Sequence, residues 1–297
     1  MKTTLLCFGL LCTAVSGTPA RGQLQLAASR PLAEIKYRAV GKLIYVPVRI
    51  NGSSPHLFIF DTGAPNSLID TALAKSLRIS SISNGIIHGA GKGDVPESDA
   101  GEVELTLGGL NTRVPHAKLV DLSKVPLPAK AYGLVGAEFL EQYVIRIDPI
   151  AHTMTFYDPK TYAYRGHGQP ISLELTNSRL YIQAGLAAKP GDLVQRRLRV
   201  DTGSEDSIDD DTVRSSPVTQ KTRLGNGLGN SYEDVSGVYD MVVIGPFKFQ
   251  HVWGPAGAVA IIGMEMMRRF TLTFDAMHGL LYLEPNASYG EPVPAPS

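Results

Sequence analysis

The feature that most constrains this chain is that its body is written twice. Asp61-Thr62-Gly63-Ala64 returns 140 residues later as Asp201-Thr202-Gly203-Ser204. Each copy follows an apolar run, Leu57-Phe58-Ile59-Phe60 in one case and Leu198-Arg199-Val200 in the other. Each leads into a second short segment, Ser67-Leu68-Ile69-Asp70 or Ser207-Ile208-Asp209-Asp210. Gly89, Gly91 and Gly93 then match Gly225, Gly227 and Gly229 at an offset of 136. Gly108 and Gly245 follow, and Leu134-Val135-Gly136 matches Ile261-Ile262-Gly263 at an offset of 127. That offset holds through Phe139–Tyr143 against Met266–Phe270 and through Asp148 against Asp275. The shrinking offset makes the second copy the shorter, mainly between Gly245 and Gly263. A fixed order of parts repeated once implies two related units built on one plan.

The pattern within each copy is that of strands and turns. Leu43–Ile50 reads as a strand whose Pro47 marks an edge or bulge, and Asn51-Gly52 is a turn before the strand that ends at Asp61. Glu102–Leu107, Val144–Ile147 and Met154–Tyr157 read as further strands. Thr71–Leu77 and Glu138–Tyr143 read as short helical segments. Residues 33–40 add an outer strand, which leaves little room for a propeptide. The expected division is a first unit over 32–160, a linker over 161–169 and a second unit over 170–286. A free Pro-rich tail over 287–297 follows.

The beginning of the chain reads differently. Residues 1–20 carry Lys2, then an apolar stretch from Leu5 to Val15, then small residues, which is the plan of an export signal. Residues 21–31 form a leader. The chain's only cysteines, Cys7 and Cys12, lie in the signal, so the processed protein is expected to enter an oxidising compartment, periplasmic or extracellular, without a disulfide. With 28 basic and 28 acidic residues, nothing in the charge favours nucleic acid or a polybasic membrane contact. No later apolar run has transmembrane length, so no stable membrane insertion is expected after processing.

The repeated tetrapeptide has a chemical logic. Asp ends a strand, Gly permits a tight turn with positive φ, and the Thr hydroxyl can lock two such loops together. Two facing loops hold two carboxyls close enough to share one proton. One can then act as a base towards water while the other acts as an acid towards a carbonyl oxygen.

On these residues the chain resembles the aspartic proteases over about 32–286, and more narrowly the bacterial, exported, retropepsin-like type. The resemblance implies an all-β, bilobal acid-protease fold: two related six-stranded β-barrel lobes, one Asp in each, with a cleft between. It implies an endopeptidase that hydrolyses peptide bonds without metal, cofactor or covalent intermediate, and that works as a monomer because both half-sites are present. Asp61 and Asp201 carry over as the catalytic pair, and Thr62 and Thr202 as the bracing pair. Gly63 and Gly203 carry over as turn residues, and Gly136 and Gly263 as packing positions. Gly89, Gly91 and Gly93, with Gly225, Gly227 and Gly229, carry over as two flap-like tips. Ser204 stands where the first copy has Ala64, so its hydroxyl is expected to donate to Asp201 and leave the shared proton on Asp61.

The alternative, from another class, is a peptide-binding module on the same scaffold with lapsed catalysis. Glu205, Asp206, Asp209, Asp210 and Asp211 are expected to form a solvated, helix-capping run rather than a calcium loop, whose central Gly is missing. There is no His-Glu-x-x-His pair for zinc and no Gly-x-Ser-x-Gly elbow.

Overall fold

The computed structural model describes residues 29–225 and 227–295. The expected export signal with Cys7 and Cys12, and the expected leader up to residue 28, lie outside the described residues. Strands dominate. Alternation is visible where a sheet has one buried face, as in Val103–Leu107, whose Val103, Leu105 and Leu107 are buried while Glu104 and Thr106 are half-exposed. Helices are short; Thr71–Ser76 is capped by Asp70, whose carboxylate accepts from Ala72 N and Leu73 N at 3.1 Å each. Among the described residues no helix is long and apolar enough to cross a membrane.

The strands form three sheets. One draws only on the first copy: from Ser83–Ile87 at one edge it passes through Leu68–Asp70, Gly133–Val135, His56–Phe60 and Leu43–Ile50 to Leu110–Val114 at the other. A second draws only on the second copy, running from Ile208–Asp209 through Ile261–Ile262, Val194–Val200, Arg179–Ala187 and Tyr232–Ile244 to Thr219–Leu224. Both contain the same parallel pairing beside the Asp loop. Leu134 and Val135 lie against Ile59 and Phe60, and Ile261 and Ile262 lie against Arg199 and Val200. The offsets of 140 and 127 therefore map one pairing onto the other.

The third sheet is shared. Ala33–Lys36, Thr153–Tyr157 and Val144–Asp148 continue into Phe270–Asp275, Leu280–Pro285 and Gln169–Ser172. At its centre Ile145, Arg146 and Ile147 pair antiparallel with Phe274, Thr273 and Leu272. Arg146 and Thr273 are themselves related by the 127 offset, so an approximate two-fold passes through that pair. Phe270–Asp275 is buried along its whole length, as expected of a central strand covered on both faces. One continuous apolar core runs beneath, including Ile145, Phe156, Leu272 and Phe274.

Two expectations are corrected. No closed barrel is found among the described residues: the strand orders are open paths, with the hairpin of Ser83–Ile87 and Val95–Asp99 at one edge of the first sheet and Leu110–Val114 at the other. The tail after 286 is not free over its described part. Tyr289 packs among Phe247, Phe249 and Phe270, and Val293 is buried. The fully buried Arg269 donates to the carbonyls of Glu291 and Pro292 at 3.0 Å each. A Pro-rich stretch without periodicity can still be fixed when a buried donor needs its carbonyls.

Candidate active site

The strands His56–Phe60 and Val194–Val200 end at Asp61 and Asp201, and the loops that follow meet face to face. Four buried hydrogen bonds cross between them. Thr62 Oγ1 donates to Val200 O and Thr202 Oγ1 donates to Phe60 O, at 2.7 Å each. Each hydroxyl also accepts from the other threonine's backbone N–H at 3.0 Å. Both threonines are fully buried, so each polar group needs the partner it has.

Gly63 and Gly203 are required here for a reason the sequence did not reveal. Neither has a positive φ. A Cβ on Gly63 would instead run into the Asp201 carboxylate, and one on Gly203 into that of Asp61. The demand is for close approach, each glycine making room for the opposite acid. Gly136 and Gly263 pack in the same sense, the first against the backbone of Ala64, Asn66 and Ser67, the second against Ser204 and Asp206.

The two carboxyls are brought close together, each seated against the glycine of the opposite loop, and Asp201 acts on the Asp61 carboxyl. Asp61 Oδ1 accepts from Gly63 N at 2.9 Å and Ala64 N at 3.1 Å. Asp201 Oδ1 accepts from Gly203 N at 3.0 Å, and its Oδ2 from Arg199 Nη2 at 3.0 Å. Burial pushes the Asp61 carboxyl up to about 8, helped by the charge of Asp201 and opposed by Gly63 N–H and Arg199. Burial and Asp201 thus both favour the protonated form of Asp61.

The upward push on Asp61 runs in the expected direction, but Ser204 is not its source. Ser204 Oγ accepts from Asp206 N at 3.2 Å, and no bond from it to Asp201 is present among the described residues. The group on Asp201 is Arg199, which sequence reasoning passed over. Strand parity could have found it: residues two apart share a face, so Arg199 points where Asp201 points.

The glycine-rich tips lie against one another. Gly91 N donates to Leu228 O at 2.8 Å, and Lys92 and Asn230 exchange two backbone bonds of 2.8 Å. Gly89 abuts Leu228, Gly91 abuts Gly229, Gly225 abuts Gly91 and Gly227 faces Ala90. Gly93 is turned at φ +89, with Asn230 as its nearest neighbour. Lys92 Nζ sits 4.3 Å from the centroid of the Tyr232 ring, and Leu228 packs on the same buried cluster of Leu68, Val120 and Leu122 as Ile87 and Val95 of the opposite hairpin.

The acidic run is not simply solvated. Asp210 is fully buried, held by Arg196 at 2.8 Å, and caps the turn at Thr212 N. Asp209 is half-buried, and burial followed by the charges of Asp206 and Asp201 pushes its carboxyl well up. Sequence reasoning also passed over Glu138, two residues after Gly136. Its buried carboxylate accepts from Ser67 N and Ser67 Oγ at 2.8 Å each, and Ser67 Oγ accepts from Gly136 N at 3.0 Å. The bonds fix the first Asp loop from behind.

Residues 46–139 match the family model described as aspartyl protease. The match spans less than half of the chain; it includes the first Asp-Thr-Gly, the first glycine-rich tip and Gly136, and it supports a protease hydrolase of the aspartyl type acting on peptides. No curated protein matches the chain.

Proposed function

We propose that this chain is an exported, bilobal aspartic endopeptidase that works as a monomer and hydrolyses peptide bonds on an Asp61/Asp201 dyad. The observation that carries the reading is the meeting of the two carboxyls across loops braced by Thr62 and Thr202. The shared sheet supports a bilobal plan, since each copy supplies three of its strands. Export rests on residues 1–20 alone.

In the proposed mechanism a water lies between the carboxyls and a peptide carbonyl lies above. Asp201 takes a proton from the water as its oxygen bonds to the carbonyl carbon. Asp61 gives its proton to the carbonyl oxygen, forming a neutral gem-diol. In the second half the proton on Asp201 passes to the amide nitrogen and the C–N bond breaks. One hydroxyl proton returns to Asp61, leaving an acid, an amine and the starting dyad. General acid–base steps of this kind contribute about 10²–10⁴-fold each. The paired tips would cover the substrate and exclude water, and must part to admit it.

The test is cleavage of a peptide library across pH by the native protein, Asp61→Asn and Asp201→Asn. The expected result is a loss of at least ~10³-fold in kcat/KM for either variant. Native activity should decline as pH rises through about 8, where Asp61 gives up its proton. Equal turnover by all three proteins would overturn the reading. Peptide binding without turnover would favour the lapsed module.

A further inference from the structure

The two halves of the site are not equivalent, and the difference is a charge. Under the 140 offset the partner of Arg199 is Ile59. Both positions precede their Asp by two, and both pair with the first residue of the parallel strand, Ile59 with Leu134 and Arg199 with Ile261. Ile59 is buried in an apolar cluster with Leu43, Tyr45 and Ala131. Arg199 puts a guanidinium in the corresponding place, largely sheltered, its side chain 19% exposed. Packing alone would be served by a second isoleucine.

The guanidinium has several acids near it. Across the strand pairing Ile261 lies between Arg199 and Asp209, but burial holds Asp209 towards its neutral form. Asp206 faces Lys42 and Glu205 as well as Asp201. Asp201 is the one that receives the direct contact, at 3.0 Å. With Gly203 N on its other oxygen, both oxygens of Asp201 are engaged within its own half. Among the described residues Asp61 has only backbone donors from its own loop.

Building on the dyad reading, we propose that Arg199 is a positioning residue that fixes the direction of proton traffic, anchoring Asp201 as the charged base and leaving Asp61 as the acid. Two like acids facing each other across a two-fold would share one proton evenly. A cation on one of them breaks the tie, because the favourable interaction exists only when that member is ionised.

The experiment compares native protein, Arg199→Leu and Arg199→Lys in two readouts. The first is carboxyl ¹³C NMR titration of Asp61 and Asp201, which requires no turnover. The native protein is expected to keep its shared proton on Asp61. Arg199→Leu should raise the Asp61 midpoint by about one unit, since a neighbouring cation is lost, and Arg199→Lys should stay within a few tenths. The second is the pH profile of kcat/KM on a cleaved peptide, in which both limbs should move to higher pH in Arg199→Leu and return in Arg199→Lys. An Asp61 midpoint unmoved in Arg199→Leu, or a native protein whose proton resides on Asp201, would overturn the proposal. If Arg199→Leu does not fold, Arg199→Gln, which keeps a planar polar group without the charge, takes its place in the same titration and is expected to show the same shift. A native protein that cleaves nothing yet titrates as expected would sink the protease reading and leave the assignment of Arg199 standing.

Discussion

At the residue scale the site is a matter of which small groups let large ones meet. The close approach of Asp61 and Asp201 depends on two missing Cβ atoms, at Gly63 and Gly203, and on two hydroxyls that satisfy four buried backbone groups. That approach has a stability consequence whose sign is fixed. Burial and Asp201 raise the Asp61 carboxyl to about 8 in the fold, against about 3.9 in an unfolded chain. The protonated form is the one the fold prefers, so its contribution is fully present below about pH 4 and is lost as pH rises through about 8. Asp61→Asn removes the ionisation. It is expected to melt close to the native protein at pH 4 and to be more stable at pH 8.5 by at least about 2 kcal/mol, or ~4–8 °C. Thermal melts of both proteins at the two pH values check this. A gap that is the same at both would show that Asp61 ionises without penalty.

At the element scale the decisive feature is the contact between the two glycine-rich tips. Ser83–Ile86 of the first hairpin strand is exposed and most of its partner Val95–Asp99 only half-buried, and what the end of the hairpin meets is the opposite tip. A Cβ at Gly91 would stand 2.5 Å from Gly229 C and 2.8 Å from Asn230 N, both backbone atoms that cannot rotate away. Gly91→Val should therefore part the tips. The amides of Lys92 and Asn230, now in mutual bonds of 2.8 Å, are expected to exchange hydrogen at least ~10-fold faster, while the core strand Phe270–Asp275 keeps its protection. Unchanged exchange at Lys92 and Asn230 would mean that this contact does not hold the tips. The strands themselves were largely legible: Leu43–Ile50 runs as expected, and alternation with turn residues set the others. Their pairing was not, since it depends on partners far along the chain.

At the scale of the whole molecule the chain is joined in two ways. The six-stranded sheet joins the copies through Arg146 and Thr273, and the C-terminal segment is held by a buried arginine. Arg269 has Glu265 as its charged partner at 2.9 Å and also donates to the carbonyls of Glu265, Glu291 and Pro292. Truncation after Pro285 would leave a buried guanidinium short of acceptors and remove Tyr289 from its aromatic cluster. A loss of about 1.5–3 kcal/mol is expected, read as a fall in the denaturation midpoint with activity at low temperature retained. A truncated protein as stable as the full chain would show the docking to be incidental.

By itself the sequence determined the repeat, the strand-rich class and the residues of the two Asp loops, because those follow from local pattern and from one order of parts appearing twice. Even the two-fold through Arg146 and Thr273 was latent in the 127 offset. The tertiary structure alone decided what a linear pattern cannot encode. It set Gly63 and Gly203 against the opposite carboxyls, brought Arg199 rather than Ser204 to Asp201, and closed one tip on the other. It also left the sheets open where barrels were expected and drew a Pro-rich tail into the core. The physical reason is common to all of these. A motif records what a residue can do, whereas burial, charge and close approach depend on which distant residues fill the space around it.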